Sequence, residues 1–277
     1  MLQSRQFQIV YPTVYAASSL ELTPLLMTHA ALLASPKDCV ASHHSGLRLY
    51  GLEVGDDLGP HVSTPSDEPI RIRGITTHRL ARMSARVLGD WPVLEPELCL
   101  STAATTLNLI DLVIAMDWMY RLGHTSPEKL MAFLFQHHGA GVRKARRAAA
   151  LSRLGSESPR ETYVRSMLEL AGLPPLECNI SYGDEHQFLA RVDLSWPRWK
   201  IAIEYDGRQH ALSMSQRERD IHRREAMERL GWIFIVVTAA QLRRPRAIVN
   251  RVREALRHRQ GWAPLPDFSA EWVALFE

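Results

Sequence analysis

Three acidic residues, Asp193, Glu204 and Asp206, stand close together in a strongly apolar stretch of the sequence. Their segments, ARVDLSW and IAIEYDGRQH, have the pattern of two strands joined by a tight turn at Pro197-Arg198. Acids are poor strand formers, and an unpaired buried carboxylate costs free energy. Grouped acids of this kind are typical ligands for a hard cation such as Mg²⁺, which polarises a phosphoryl oxygen and activates water. The chemistry they favour is phosphodiester hydrolysis.

The strand pattern also predicts how these carboxylates are arranged. Alternation of side chains places Glu204 and Asp206 on one face of their strand. A turn centred on Pro197-Arg198 puts Asp193 opposite Ala202 and diagonal to Glu204, at about 7–8 Å between Cα atoms. We expect all three acids to be ligands of one cation, Mg²⁺ or Mn²⁺, because neighbouring carboxylates resist ionising without a counter-charge. A network of ion pairs with nearby arginines is the alternative explanation.

Two further residues are candidates for the same site. His210 follows the second strand, where we expect it to position or deprotonate a water molecule, although a lone histidine after a turn is also typical of a surface residue. Glu161 stands near the start of a predicted helix. The spacing Ser158-x-x-Glu161 is also that of a capping box, in which Glu161 accepts a hydrogen bond from the backbone N–H of Ser158. Capping is the favoured interpretation for Glu161.

Two pairs of adjacent histidines, His43-His44 and His137-His138, have no matching cluster of acids. We expect them to occupy surface or core positions rather than to bind metal. The cysteines, Cys39, Cys99 and Cys178, are far apart and lack CxxC spacing, so that neither a disulfide framework nor a structural zinc site is predicted.

The composition is that of a globular protein, with 277 residues, 46% of them hydrophobic and 23% charged. The formal net charge is only +3, but arginine is concentrated between Arg208 and Arg259, where thirteen arginines face five acids. Such a block can supply phosphate contacts, or it can form solvated helix faces. The residues that we expect to contact DNA are Arg208, Arg217, Arg223 and Arg224, with Arg143 and Arg147 in the amino-terminal half.

Nothing in the sequence has the pattern of a secretory signal. The longest apolar stretch, near residues 107–119, contains polar residues and is too short to span a bilayer. We therefore expect a cytoplasmic protein that has no contact with a membrane.

A change of composition near residues 155–159 predicts a boundary between a domain at 1–154 and a domain at 155–277. The second has the predicted order α-β-β-β-α-β-α, with helices from Ser158, over about 215–230 and from Pro245. The connection from the strand of Glu204 to the apolar strand Ile233–Val237 is long enough for a parallel crossover. We expect an α/β domain with a mixed sheet flanked by helices.

The amino-terminal domain is predicted to be α+β and mostly helical. Strands are expected at 6–15 and in short pieces at 61–63 and 71–79. Helices are predicted by apolar periodicity and by capping residues at 20–33, 39–51, 101–122, from 126 onward, and at 139–151.

The segment from Ser156 to about Arg257 resembles the restriction-endonuclease-like (PD-(D/E)XK) fold, and in particular the very-short-patch-repair-endonuclease-like (Vsr-like) domain. The matching pieces are SPRE at 158–161, RVDLSWP at 191–197, IAIEYDGRQH at 201–210 and GWIFIVVT at 231–238. The resemblance implies a DNA endonuclease in which Asp193 and Glu204 bind metal and Glu161 matches an acid of the first helix. Asp206 stands where the general motif has lysine, which leaves that role to His210 or an arginine.

The amino-terminal half resembles the AbiEi-like antitoxin regulators. The resemblance lies in VYPTVYAAS near 10–18, VASHHSGLRLYGL at 40–52 and TTLNLIDL at 105–112. Those relatives carry a winged helix-turn-helix before the first of these pieces, and we expect this half to lack a full one.

These observations together predict a metal-dependent DNA endonuclease or nickase, acting in phage defence or DNA repair. The alternative is a non-catalytic DNA-binding regulator or antitoxin that retains a nuclease-like domain, and a third hypothesis is a protein-interaction module. DNA is the expected partner, with a second copy of the chain or a cognate toxin as further candidates.

Overall fold

The computed structural model of the chain describes residues 6–183, 188–206 and 214–277, without the side chains of 188–189 and 214–220. The chain divides into two units, one ending at Ser152 and one formed by Arg153–Glu277. Both combine helices with sheet, so that the protein is an α/β protein with mixed sheets. Over the described ranges, none of the helices combines the length and the apolar character needed to cross a membrane.

The amino-terminal unit begins with a β-hairpin and continues with alternating helices and strands. Its elements in chain order are β1 (Phe7–Tyr11), β2 (Val14–Ala17), α1 (Pro24–Ala34), β3 (Val40–Ala41), α2 (His43–Leu49), β4 (His61–Thr64), β5 (Thr76–Arg79), β6 (Ala85–Leu88), β7 (Trp91–Leu94), α3 (Pro96–Ala103), α4 (Leu109–Arg121), α5 (Pro127–Gln136) and α6 (Val142–Leu151).

The main sheet of this unit has the strand order β5-β4-β3-β7-β6. Strand β4 pairs in parallel with β5 and antiparallel with β3, and β3 pairs in parallel with β7. Helix α4 is buried along most of its length, as its apolar composition predicts. The hairpin of β6 and β7 was absent from the sequence prediction, because both strands have only four residues, β6 is largely exposed and β7 contains a proline.

The helix predicted over 101–122 is wrong as a single element, since it is two helices. Helix α3 ends at Ala103 and α4 begins after Asn108, whose side chain accepts a hydrogen bond from the N–H of Asp111 at 2.8 Å. Between them, the hydroxyl groups of Thr105 and Thr106 donate to backbone carbonyls three residues earlier. Such local hydrogen bonds compete with helix continuation, and Asn108 is a strong N-cap.

The carboxy-terminal unit contains one described sheet with helices around it. Its elements are α7 (Pro159–Leu170), β8 (Glu177–Gly183), β9 (Phe188–Trp196), β10 (Ile201–Asp206), α8 (Met214–Arg229), β11 (Ile233–Thr238), α9 (Pro245–Gln260) and α10 (Ala270–Phe276). The strand order is β11-β10-β9-β8, in which only the β10–β11 pair is parallel among the pairs described. Helix α10, absent from the prediction, buries Trp272, whose indole donates to the carbonyl of Met167 at 2.9 Å.

The turn between β9 and β10 differs from the predicted one. Residues 197–199 form a 3₁₀ turn, and Lys200 follows with a positive φ of 51°. Ala202 therefore pairs with Ser195, and Ile203 with Leu194. The predicted pairing of Ala202 with Asp193 was wrong by two residues because the turn uses four residues rather than two. Continued by one step, the observed register sets Asp193 across from Glu204.

We expect this sheet to carry much of the stability of the carboxy-terminal unit. Ile203 on β10 is fully buried, and Ile203→Ala is expected to lower the free energy of unfolding by about 2–5 kcal/mol through lost burial and a residual cavity. Chemical denaturation of the purified chain measures this change. Ile221→Ala, on the exposed face of α8, is the matched control and should change stability by less than about 0.5 kcal/mol. Equal effects from the two substitutions would contradict the assigned core.

Candidate functional site

Asp193 lies where the two central antiparallel strands stop pairing. The described ladder between β9 and β10 ends at Leu194–Ile203, and the next step brings the Asp193 carboxylate, rather than a backbone carbonyl, to the N–H of Tyr205. Asp193 Oδ2 accepts this hydrogen bond at 3.0 Å. A side chain thus takes over the role of a backbone acceptor, which fixes the carboxylate between the two strands.

The neighbouring strand is also irregular at this level. Strand β8 pairs with β9 at Cys178–Leu194 and at Ile180–Val192, which sets Asn179 across from Asp193. Asn179 has a positive φ of 52°, a conformation that asparagine tolerates better than most residues. Its side chain donates to Glu161 Oε2 at 2.7 Å. The irregular backbone at Asn179 therefore connects the sheet with the first turn of α7.

Glu161 is buried and serves the start of α7. Its N–H donates to the hydroxyl of Ser158 at 3.2 Å, as the capping prediction requires. Its carboxylate accepts from the N–H of Glu157 at 2.9 Å, whereas the prediction named the N–H of Ser158. The donor is therefore the residue that precedes the predicted one, and the side chain of Asn179 donates to the same carboxylate.

The electrostatics indicate that three carboxylates lie near one another. The pKa of Asp193 is raised to about 7, first by burial, then by the charge of Glu161 and, to a smaller extent, by that of Glu204. The hydrogen bond from Tyr205 and the charge of Arg223 act in the opposite direction. A divalent cation would stabilise a half-buried acid with two acidic neighbours, because its charge removes the repulsion between the carboxylates.

Glu204 is held by two arginines of α8. Arg223 Nη2 lies 3.5 Å from Glu204 Oε1, and Arg224 Nη2 lies 3.2 Å from Glu204 Oε2. The Arg224 guanidinium also lies over the ring of Phe234 on β11, 5.7 Å from its centroid. The ion pairs that the sequence offered as the alternative explanation are therefore present at Glu204. Asp206 ends β10 and is half-buried, across from Thr238 of β11.

The carboxylates do not converge in the manner of a preformed ion site. Among the residues that the structure describes, three ligand atoms lie within 4.8 Å of one another only at His43, His61 and His78. An ion shared by Asp193 and Glu204 would compete with Arg223 and Arg224 for the Glu204 carboxylate.

The histidine cluster lies in the amino-terminal unit and was missed by the sequence analysis. His43 and His44 are buried, as expected of core positions. The prediction favoured surface or core positions over a metal role because the pair has no matching cluster of acids. The parallel pairing of β4 with β5 places His61 and His78 on neighbouring strands. No local sequence pattern predicts that pairing.

The expected DNA contacts are distributed over both units. On α6, Arg143 and Arg147 are exposed, whereas Lys144 and Arg146 donate to the backbone carbonyls of Leu107 and Leu134. Arg208, His210 and the side chain of Arg217 lie outside the described residues, so their predicted roles stay predictions.

Several arginines of the basic block have partners within the carboxy-terminal unit. Arg246 pairs with Glu277 and Arg257 with Glu254. Others donate to backbone carbonyls, namely Arg251 to Val236, Arg253 to Pro264 and Arg259 to Gly231. Several arginines of the basic block thus make contacts within the fold. The charge of this block is therefore weaker evidence for phosphate binding than the sequence alone indicated.

Comparison with known proteins gives similarity without an activity. The chain is 23% identical over 259 residues to the uncharacterized proteins MT2308 and Rv2248 of Mycobacterium tuberculosis, from strains CDC 1551 / Oshkosh and ATCC 25618 / H37Rv. Each alignment covers 89% of this chain and 91% of the relative. No protein-family model matches, and no solved structure matches. The similarity therefore extends over both units but assigns no chemistry to them.

The raised pKa of Asp193 predicts an unusual pH dependence of stability. The folded chain holds this proton more tightly than the unfolded chain, so the stability that Asp193 contributes is complete below about pH 4 and is lost as the pH rises to about 7. Asp193→Asn keeps an acceptor for Tyr205 and removes the charge. We expect it to be more stable than the wild type by up to about 4 kcal/mol above pH 7, with the difference disappearing toward pH 4.

Denaturation in urea across this pH range measures the difference. Asp267→Asn, at an exposed aspartate of the same unit, is the control and should show no such trend. If Asp193→Asn destabilises the chain more at high pH than at low pH, the assigned environment of Asp193 is wrong.

Proposed function

We propose that the protein is a metal-dependent DNA endonuclease or nickase whose cation is bound by Asp193 and Glu204. The observation that carries the proposal is the position of Asp193. This half-buried carboxylate is fixed by the Tyr205 N–H where two strands part, and it interacts electrostatically with Glu161 and Glu204. Mutually repelling acids that are largely shielded from water at the irregular end of strand pairing are costly for stability, and cation binding is a function that would offset the cost.

The roles proposed for the residues follow from their chemistry. Carboxylates of Asp193 and Glu204, assisted by Asp206, suit Mg²⁺ or Mn²⁺, which retain several water molecules. The bound cation would polarise a phosphoryl oxygen and activate one of these waters. Glu161 would add negative charge near Asp193, and His210 would position or deprotonate the attacking water.

In the proposed reaction, the first step is the movement of Glu204 from its two arginines toward the cation. With Glu204 turned toward a cation, Arg223 and Arg224 would lose their carboxylate partner at the edge of the site. Guanidinium groups bind phosphate oxygens well, so the same two side chains would become available to the DNA backbone. Cation binding and phosphate binding would then support each other.

The second candidate function is that of a non-catalytic DNA-binding regulator or antitoxin. The contacts of Arg223 and Arg224 with Glu204 favour it, because they neutralise the second acid without any cation. In this case the carboxy-terminal unit would be a platform that binds DNA through charge, with an affinity that falls as salt is raised.

Cleavage assays distinguish the two functions. Supercoiled plasmid and single-stranded DNA are incubated with the purified chain and Mg²⁺ or Mn²⁺. We expect nicked or linear product from the wild type, reduced about 100-fold or more in Asp193→Asn and Glu204→Gln, since removal of a metal ligand forfeits several kcal/mol of charge stabilisation. Glu177→Gln, at an exposed acid of β8, should cleave like the wild type.

The outcomes exclude one function or the other. Cleavage that survives in both Asp193→Asn and Glu204→Gln removes these residues from the reaction. Absence of cleavage under every divalent cation, with salt-sensitive DNA binding that weakens in Arg223→Ala and Arg224→Ala, supports the regulator. Because Asp193→Asn is expected to be at least as stable as the wild type near neutral pH, its loss of cleavage would not reflect unfolding.

A further inference from the structure

A cluster of histidines lies in the amino-terminal unit. His43 begins α2, His61 begins β4, and His78 lies in β5. One ring nitrogen from each lies within 4.8 Å of the others. His43 and His61 are buried and His78 is half-buried. Three elements far apart in sequence thus bring three imidazoles to one place.

We propose that His43, His61 and His78 bind one transition-metal ion of the Zn²⁺ class. Neutral imidazole nitrogens are preferred ligands of Zn²⁺, Co²⁺ and related ions, in contrast to the oxygen ligands that Mg²⁺ prefers. Three protein ligands leave a coordination position for water or a further ligand. The proposed ion is therefore different from the one proposed for Asp193 and Glu204, and it is independent of that function.

The hydrogen bonds around His61 prepare it as a ligand. Asp57 Oδ2 lies 2.7 Å from His61 Nε2, so that Nε2 carries the proton and Nδ1 carries the lone pair. His61 Nδ1 in turn lies 2.9 Å from His78 Nε2. A carboxylate on the far nitrogen of a histidine is the usual outer partner of a metal-bound imidazole, since it fixes the ring and raises its basicity. Asp57 would have this role.

His43 and His44 have comparable local partners. His43 Nδ1 lies 2.9 Å from the hydroxyl of Ser42, and a proton on Nδ1 leaves the lone pair on Nε2. His44 Nδ1 lies 3.2 Å from the carbonyl of Val54, which requires the proton on Nδ1. Within the described residues, the buried His44 Nε2 has no hydrogen-bond partner, and its ring lies 5.4 Å from that of His61. His44 is not one of the three histidines whose ring nitrogens lie within 4.8 Å of one another, so the proposed site does not include it.

The close packing of the histidines affects the pKa values of His43 and His78. Burial, followed by the neighbouring histidines His78 and His61, lowers the pKa of His43 to about 2. Burial and the proximity of His61 lower the pKa of His78 to about 4. The side chain of Asp57 is 47% exposed, so that the cluster lies near solvent.

Ion binding would require a small rearrangement. The rings of His43 and His78 are stacked with their centroids 3.7 Å apart, and stacked rings direct their lone pairs in parallel rather than toward one point. One of these rings must turn for both to bind one ion. His78, the less buried of the two, has more room to do so, and its ring proton would move from Nε2 to Nδ1.

Cobalt binding to the purified full chain tests the proposal. We expect one Co²⁺ per chain, with the visible absorption of a four- or five-coordinate site that Zn²⁺ displaces. His61→Gln and His78→Gln should each lower the affinity at least about tenfold, and Asp57→Asn by about 10–100-fold. Zn²⁺ should raise the melting temperature of the wild type but not of His78→Gln.

Two matched variants complete the design. His29→Gln, at a histidine that stacks on Trp91 outside the cluster, should bind Co²⁺ like the wild type. Glu177→Gln, at an exposed acid of the carboxy-terminal unit that is assigned to neither site, should also bind Co²⁺ like the wild type. Binding of less than one ion per chain, or equal binding in wild type, His61→Gln and His78→Gln, would mean that the histidines are only packed together and would overturn the proposal.

Discussion

The hydrogen bond between the Asp193 carboxylate and the Tyr205 N–H is the interaction on which the arrangement of the carboxy-terminal unit depends. It joins β9 to β10 where their backbones no longer pair, and it places an ionisable group in a half-buried position. Loss of solvation, followed by the charges of Glu161 and Glu204, raises the pKa of this carboxyl group. The strands around it are apolar and tightly packed, so this costly group is maintained by the stability of the rest of the sheet.

Local signals in the sequence predicted many of the elements. Ser126 and Ser158 accept hydrogen bonds from N–H groups in the first turns of α5 and α7, and prolines follow both caps. The apolar strand β11 and its parallel pairing with β10 agree with the long connection through α8. These features depend on residues a few positions apart, where capping and periodicity act directly on the backbone.

The features that the sequence did not predict depend on contacts over longer distances. A 3₁₀ turn with Lys200 at positive φ shifted the register of Asp193, and only the folded backbone shows that shift. The histidine cluster depends on the pairing of β4 with β5, which joins His61 and His78 across a polar segment. In the proposed site, the acids were recognisable from the sequence. The ion pair of Arg224 with Glu204 was one of the two explanations that the sequence left open.

The partial exposure of Arg223 and Arg224 has a consequence for ionic strength. Their side chains are 32% and 41% exposed, so dissolved salt screens their attraction to Glu204. The same salt weakens the attraction of the released arginines for a polyanion. Screening of the ion pairs would release Glu204 from the two arginines. Screening of the polyanion would weaken the phosphate contacts that replace Glu204 as the partner of these arginines. In the proposed function, salt would therefore act on this site in two opposed directions, because it loosens the ion pairs at Glu204 and also weakens the attraction of Arg223 and Arg224 for DNA phosphates.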